Sequence, residues 1–390
     1  MMKNKISKIH NYIIDPVRAL AEDGKLSGLL LIAATAISIL VSNLPIGHLY
    51  IDFWNTDASI SSLHLTVFEW INEALMPVFF LLVGLEIKRE LIKGELSSLN
   101  QAIIPVVAAA GGMIIPAIIF ILFNFTHPET IHGWAIPTAT DIAFSLGILS
   151  LLGKRIPFSL VIFLMALAII DDLGAILIIV FFYSGELHLL MILGAAGLTV
   201  LLILLNRLKV MNLAAYLIPG IVLWYLILHS GIHPTIAGVI LAMTIPLQSG
   251  ERLEHWLTRP VSYFVLPVFA LANTALPLVF GSGNLFSNVS IGIILGLFIG
   301  KPLGIVGSSW LLVKFKFSPM LKDVNWKMMT GVGLIAGIGF TMSIFITTLS
   351  FKPGTYDVLS KLAVIIGSIL SAVTGLFLLK KITSSKSVTH

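Results

Sequence analysis

The chain reads as an all-α polytopic membrane protein of twelve transmembrane helices, and three observations carry that reading. Of 390 residues, 57% are hydrophobic and 11% charged, and the mean hydropathy is +1.01. Soluble domains carry about 25% charged residues. Apolar runs long enough to cross a hydrocarbon core of ~30 Å as helix recur along the whole sequence. Basic residues gather in alternate connections, as the positive-inside rule requires. The chain has no cysteine, which excludes disulfides, thiolate metal sites and cysteine nucleophiles. A pI near 9.3 would suit nucleic acid, but the basic residues are accounted for as topology signals, so membrane lipid and not nucleic acid is the expected partner.

Taken as one integral domain over 1–390, the chain opens on a basic cytoplasmic segment, 1–25, without the small-residue cleavage site of a secretory signal, so the first apolar run is read as a retained span. Within it, Ile9 to Leu20 is either a surface-lying stretch or a polar lead-in. Span 1 is Leu26 to Ser42. Asn43 to His64 forms the longest outer connection, where partial alternation over His48 to Asp52 suggests an extended hairpin or an ordinary loop. Span 2, Leu65 to Leu85, places Glu69 and Glu73 one turn apart in its outer half. Glu86 and Glu90 are one turn apart at its cytoplasmic end, where they either draw cations inward or offset Lys88, Arg89 and Lys93.

Span 3 is Ala102 to Phe125. Span 4, Trp134 to Leu152, should break near Thr138 to Asp141, because Pro137 removes a donor and Thr138 and Thr140 compete for backbone hydrogen bonds. Span 5, Phe158 to Tyr183, carries Asp171 and Asp172. Spans 6 to 9 are Leu187 to Leu205, Met211 to Leu228, Gly231 to Leu247 and Ser262 to Phe280. Span 10, Val289 to Val313, contains Lys301 between Gly300 and Pro302. Span 11, Met328 to Leu349, has Gly331, Gly333, Gly337 and Gly339 followed by Thr341 and Ser343, which fits an interruption or small-residue packing. Span 12 is Val358 to Leu379.

Nearly all of the 24 Lys and Arg residues fall before span 1 or after an even-numbered span. Lys352 and Lys361 lie on the opposite side, and Lys301 lies within the membrane. Both termini are therefore read as cytoplasmic. Spans 3 to 5 and 10 to 12 then run in opposite senses, so 101–183 and 288–381 are candidate inverted repeats, each with an interrupted middle helix. Two such interruptions in corresponding places point to a transport site.

Three acids in lipid-embedded sequence need a reason. A charge near the bilayer centre costs roughly 2.5–3.5 kcal/mol even on the lenient insertion scale, and intramembrane acids default to ion or proton pathways. At ~1.5 Å per residue, Asp141 and Asp171 both lie ~10 Å from the outer surface. Adjacent helical residues project about 100° apart, so one of Asp171 and Asp172 can join Asp141 at a cavity while the other meets a different partner. A pairing with Lys301 would offset part of both desolvation costs. Carboxylates with Thr hydroxyls and freed carbonyls suit a hard cation such as Na⁺. A carboxyl taken out of water holds its proton to higher pH, and neighbouring acids titrate together. Proton and Na⁺ would compete for one site, and competition alone gives antiport. Two other classes stay open: a sodium-coupled solute symporter, and an intramembrane aspartyl protease, whose Gly-x-Gly-Asp element is matched here only by Gly337-Ile338-Gly339 followed by Phe340.

PTATDIAF around Asp141, FLMALAIIDDLGAI around Asp171 and Asp172, IGKPLGI around Lys301 and GIGFTMSIF around Phe340 resemble the bacterial NhaA family of sodium/proton antiporters. VFFLLVGLEIKREL in span 2 and HSGIHPTIAGVI around His233 are similar to it as well, and the likeness covers nearly the whole chain. The resemblance implies twelve spans with two crossed interrupted helices in the bacterial inner membrane, a secondary transporter and not an enzyme, needing no cofactor. It implies electrogenic exchange of Na⁺ or Li⁺ for more than one proton, serving sodium and pH homeostasis and rising at alkaline pH. Carried onto matching positions, Asp141 and Asp172 would hold the cation, with Thr140 nearby. Asp171 would pair with Lys301, and Asp141 and Lys301 would offset facing helix-dipole ends. For pH response the resemblance points to Glu86, Glu90, Glu254 and His255. QSGERLEHWLTRP is shorter than in longer members and has Thr258 near a position that often carries histidine. The family can dimerise through an outer hairpin, so a homodimer through the first outer loop is expected.

Overall fold

A computed structural model describes residues 15–61, 63–277 and 286–384. The first half of the expected surface stretch Ile9 to Leu20, the end of span 9 and Lys386 therefore lie outside the described residues. The described part is helical throughout, apart from two isolated antiparallel bridges, Asp57 to Thr66 and Ile60 to Leu63. Six helices are long and apolar enough to cross a membrane, or up to eight if each of two bent pairs is one span.

In chain order the helices are α1 (Asp15–Ser42), α2 (Gly47–Asn55), α3 (Val67–Ile92), α4 (Leu99–Asn124), α5 (Ile142–Ser150), α6 (Phe158–Phe182) and α7 (Leu189–Arg207). After them come α8 (Ala214–Leu228), α9 (Thr235–Thr244), α10 (Leu247–Pro260), α11 (Leu266–Asn273), α12 (Asn288–Lys314), α13 (Trp326–Ala336), α14 (Phe340–Ser350) and α15 (Thr355–Ser384). The outer connection departs from expectation. His48 to Asp52, read as a hairpin or loop, lies in α2, a helix turned 113° from α1. Five residues of partial alternation also satisfy a helix when Tyr50 and Trp54, one turn apart, face the core together.

Proline shapes three helices alike. Turns of π-helix occupy Ile71–Leu75, Val261–Val265 and Gly296–Gly300, each ending two residues before a proline: Pro77, Pro267 and Pro302. A proline has no N–H and its ring crowds the carbonyl four residues back, so the helix widens by one residue to clear it. The carbonyl that Pro77 leaves free, on Glu73, accepts from Trp224 Nε1 at 2.6 Å.

Two apolar cores hold the helices. The larger joins α3, α4, α6 and α12 to α15; the smaller joins α3 to α7, α8 and α9. Of α7, only Ala195 and Leu202 are buried, and Leu190 is 78% exposed, as expected of a helix that faces lipid. Where α4 crosses α12, a Cβ on Gly304 would stand 2.1 Å from the Gly111 carbonyl oxygen. Backbone meets backbone there, a contact that only small residues permit. That crossing brings Lys301, one turn before Gly304, against the middle of the bundle.

Candidate functional site

The centre is built from two breaks in helical backbone. Ile131–Thr138 is a 3₁₀ stretch, Ala139 and Asp141 are extended, and α5 starts at Ile142. Gly337 and Gly339 separate α13 from α14, which are bent by 46°. Helix ends leave unpaired N–H and C=O groups, and here each break supplies the other's partners. Asp141 N donates to the Ile338 carbonyl at 2.7 Å. Ser145 Oγ donates to Ile335 O at 3.1 Å and Ser343 Oγ to Ile136 O at 2.7 Å.

Asp141 caps both half-helices that begin here. Its Oδ1 accepts from Phe144 N at 2.9 Å in α5, and its Oδ2 accepts from Thr341 N at 3.0 Å and Thr341 Oγ1 at 2.5 Å in α14. Two positive helix ends thus converge on one carboxylate. Lys301 answers from the opposite polarity: its ammonium donates to the Thr138 carbonyl, at the end of the 3₁₀ stretch, and to Asp171 Oδ2 at 2.6 Å. Both side chains of the Lys301–Asp171 pair are fully buried.

On α6, Asp171 and Asp172 diverge. Asp171 takes Lys301 and the hydroxyl of Thr140, which lies 2.6 Å from its Oδ2 and 2.8 Å from the Ala336 carbonyl. Asp172 lines a cavity of about 70 Å³ together with Asp141, Thr341, Glu86, Thr258, Ser262 and Ser27. Asp172 Oδ1 and Asp171 Oδ1 are buried without a hydrogen-bond partner among the described residues. A space of that size admits a few waters or one partly hydrated small ion. Thr140 lies beside the acids but serves Asp171 and the α13 end; the hydroxyl on the cavity wall that meets Asp141 is that of Thr341. Sequence reasoning singled out Thr341 only as a helix interrupter. Its position at the start of the second half-helix, opposite Asp141, was the available signal.

Beyond Thr341 along α14 the way is closed. Phe345, one turn on, packs against Phe80, His233 and Phe269 at ring separations of 5.5, 5.3 and 6.3 Å. In the other direction the cavity reaches the end of α3, where Glu86 is half-buried and Glu90 and Glu254 are buried. Arg89 bridges the cluster, pairing with Glu254 and lying 3.2 Å from Glu90 Oε1. Burial pushes the Glu254 carboxyl up to about 7 against the opposing pull of Arg89, with Glu90 and Glu251 adding to the rise. Arg89 was read as a topology signal and as one of three cations that Glu86 and Glu90 could offset; the structure pairs it with Glu90 and with Glu254 across the helices. His255 points to solvent outside the cluster.

A bundle of apolar helices that stitches two backbone breaks together around buried acids, with one ion-sized cavity among them, has the architecture of a membrane ion transporter. The particular family follows from comparison with known proteins. The family model described as Na⁺/H⁺ antiporter 1 matches residues 18–379, and the chain belongs to that family. It is 50% identical to Na⁺/H⁺ antiporter NhaA 2 of Flavobacterium johnsoniae over 92% of this chain and 91% of that protein. It is 49% identical to Na⁺/H⁺ antiporter NhaA of Flavobacterium psychrophilum, covering 92% and 94%, and 45% identical to that of Caulobacter vibrioides, covering 93% and 90%.

Proposed function

We propose that this chain is a secondary Na⁺/H⁺ antiporter of the bacterial inner membrane. It exchanges Na⁺ or Li⁺ for more than one proton, electrogenically, with activity rising at alkaline pH. The observation that carries the reading is a single cavity bounded by both Asp141 and Asp172 and by hydroxyls, a donor set of hard oxygens suited to a small monovalent cation. Among the described residues no group of three or more His, Cys, Asp or Glu side chains is arranged to hold a metal ion. Organic ligands occupy pockets of about 300–1,000 Å³. A cavity near 70 Å³ therefore disfavours solute symport.

In this reading Asp141 and Asp172 take either the cation or protons, and the cation displaces the Thr341 hydroxyl from Asp141. Asp171, when protonated, releases Lys301. Glu86 and Glu90 with Glu254 draw cations to the cytoplasmic mouth and, with His255, tune the response to pH. The chain crosses the membrane twelve times with both termini in the cytoplasm. The breaks before α5 and before α14 belong to interrupted spans 4 and 11, and 101–183 and 288–381 are inverted repeats. Phe345 closes the outer side in the state described, and homodimers form through the first outer connection.

The test is Na⁺-induced dissipation of a preset pH gradient in proteoliposomes at alkaline pH, comparing the native chain with Asp172→Asn. Rapid dissipation by the native chain and none by the variant is expected. Activity in both would move the cation site elsewhere, and silence in both would overturn antiport.

A further inference from the structure

A second buried Asp–Lys pair stands at the start of α15, far from the cavity. Lys361 Nζ lies 2.9 Å from Asp357 Oδ2 one turn away, with side chains only 4% and 11% exposed. On this face of α15 and on the facing start of α3, oxygens go unsatisfied. Asp357 Oδ1, Ser360 Oγ and Asn72 Oδ1 are buried without a hydrogen-bond partner among the described residues, on residues 8%, 0% and 5% exposed.

Asp357, Ser360 and Lys361 are spaced i, i+3 and i+4, which puts them on one face of α15. Phe68 ties that face to α3. Lys361 Nζ lies 5.6 Å from the Phe68 ring centre, and Asn72, one turn further on, donates to the Phe68 carbonyl at 2.9 Å. Buried polar atoms are almost always satisfied by protein, water or ion; two of these atoms are acceptors only, and the Ser360 hydroxyl can accept as well as donate. A carboxylate oxygen, a hydroxyl and an amide carbonyl make a hard-oxygen set for one small cation. A single carboxylate is too little charge for a divalent ion. Lys361 occupies Asp357 for now, yet its flexible stem lets it leave, and the Phe68 face receives a displaced ammonium by cation–π attraction.

We infer that Asp357, Ser360 and Asn72 form an outer subsite for a monovalent cation, Na⁺ or Li⁺, with Lys361 as the displaceable occupant that yields Asp357 and shifts onto Phe68. The inference rests on the antiport reading and on the topology that puts this end of α15 outside. A cation passing between the outer medium and the Asp141–Asp172 cavity pauses here.

Sidedness tests it. Native chain, Asp357→Asn and Lys361→Gln are assayed in right-side-out and everted membrane vesicles, with Na⁺ and then Li⁺ added and KM read from cation-driven proton movement. The Asp357→Asn variant should raise the ratio of outer-face to inner-face KM about tenfold. Lys361→Gln, which removes the competing ammonium, should lower that ratio severalfold. Equal shifts at both faces, or an unchanged ratio in both variants, would overturn the subsite and leave antiport standing. No cation-driven proton movement by the native chain in either orientation would overturn antiport and the subsite together. If Asp357→Asn fails to reach the membrane, Ser360→Ala removes one oxygen without changing charge; a rise of about threefold at the outer face alone is expected, and no rise there overturns the inference.

Discussion

The two buried Asp–Lys pairs are made of the same groups and are held in place by opposite means. Lys301 and Asp171 come from different helices, fully buried, 2.6 Å apart, and they meet because Gly111 and Gly304 let α12 lie on α4. Lys361 and Asp357 belong to one helix, one turn apart, and need no crossing to meet. In each pair the aspartate spends one oxygen on the ammonium and leaves the other without a partner among the described residues. The central pair thus depends on the packing of the whole bundle, whereas the outer pair is a local property of α15. A pair that depends on tertiary packing can report a conformational change; a local one keeps its geometry through it.

The largest test of that contrast is activity at the central site. Asp141→Asn should reduce Na⁺-driven proton movement in proteoliposomes at least ~100-fold, since in the proposed exchange Asp141 binds the transported ion and its charge is the site itself. Next in size is Lys301→Met. Removing one member of a buried pair costs about 3–5 kcal/mol, because the remaining charge is left uncompensated. Thermal unfolding in detergent should show it, and the double variant with Asp171→Asn should recover most of the loss. Gly304→Ala should destabilise by about 2 kcal/mol through overpacking and weaken the central pair while leaving the outer one intact, which separate Lys301 and Lys361 backgrounds would reveal. Lys361→Gln should cost only about 1 kcal/mol, because Asp357 sits in the first turn of α15, where the helix dipole favours its charge.

Smallest is a pH effect at the acids around Arg89. Glu254 titrates near 7 in the folded chain against an ordinary 4.5, so between those values the folded state holds the extra proton. Its contribution to stability is fully present below pH 4.5 and is lost as pH rises through about 7. Glu254→Gln should flatten that decline, with the fall in midpoint between pH 5 and 8 reduced by about 2 °C.

The acids of the centre were legible because a charge inside an apolar run has few explanations, and the 100° between Asp171 and Asp172 forced them apart before any coordinates. Pro137 and the glycines of Gly337-Ile338-Gly339 marked where backbone would be irregular, since local chemistry sets backbone. Partner choice was not legible in the same way. Nothing in a sequence says that Thr341 rather than Thr140 faces the cavity, because both hydroxyls can turn to any acceptor that packing provides. That Arg89 could meet the acids of its own helix was legible from spacing, but its pairing with Glu254 was not, because that acid lies 165 positions further along the chain. The helix at Gly47–Asn55 was missed because a short amphipathic stretch fits two periodicities until its neighbours are known.

The stitch between the two breaks bears on how the carrier behaves with no cargo. Asp141 Oδ2 already holds the amide and hydroxyl of Thr341, and the Asp141 N–H holds Ile338. An idle molecule therefore leaves Asp141 with partners in the bilayer and has no reason to part α5 from α14. In the proposed exchange, an arriving ion must supply what Thr341 gave before the halves can separate. Slippage, the futile cycling of an empty carrier that would dissipate a gradient, is opposed by the same hydrogen bonds that dock one backbone break on the other.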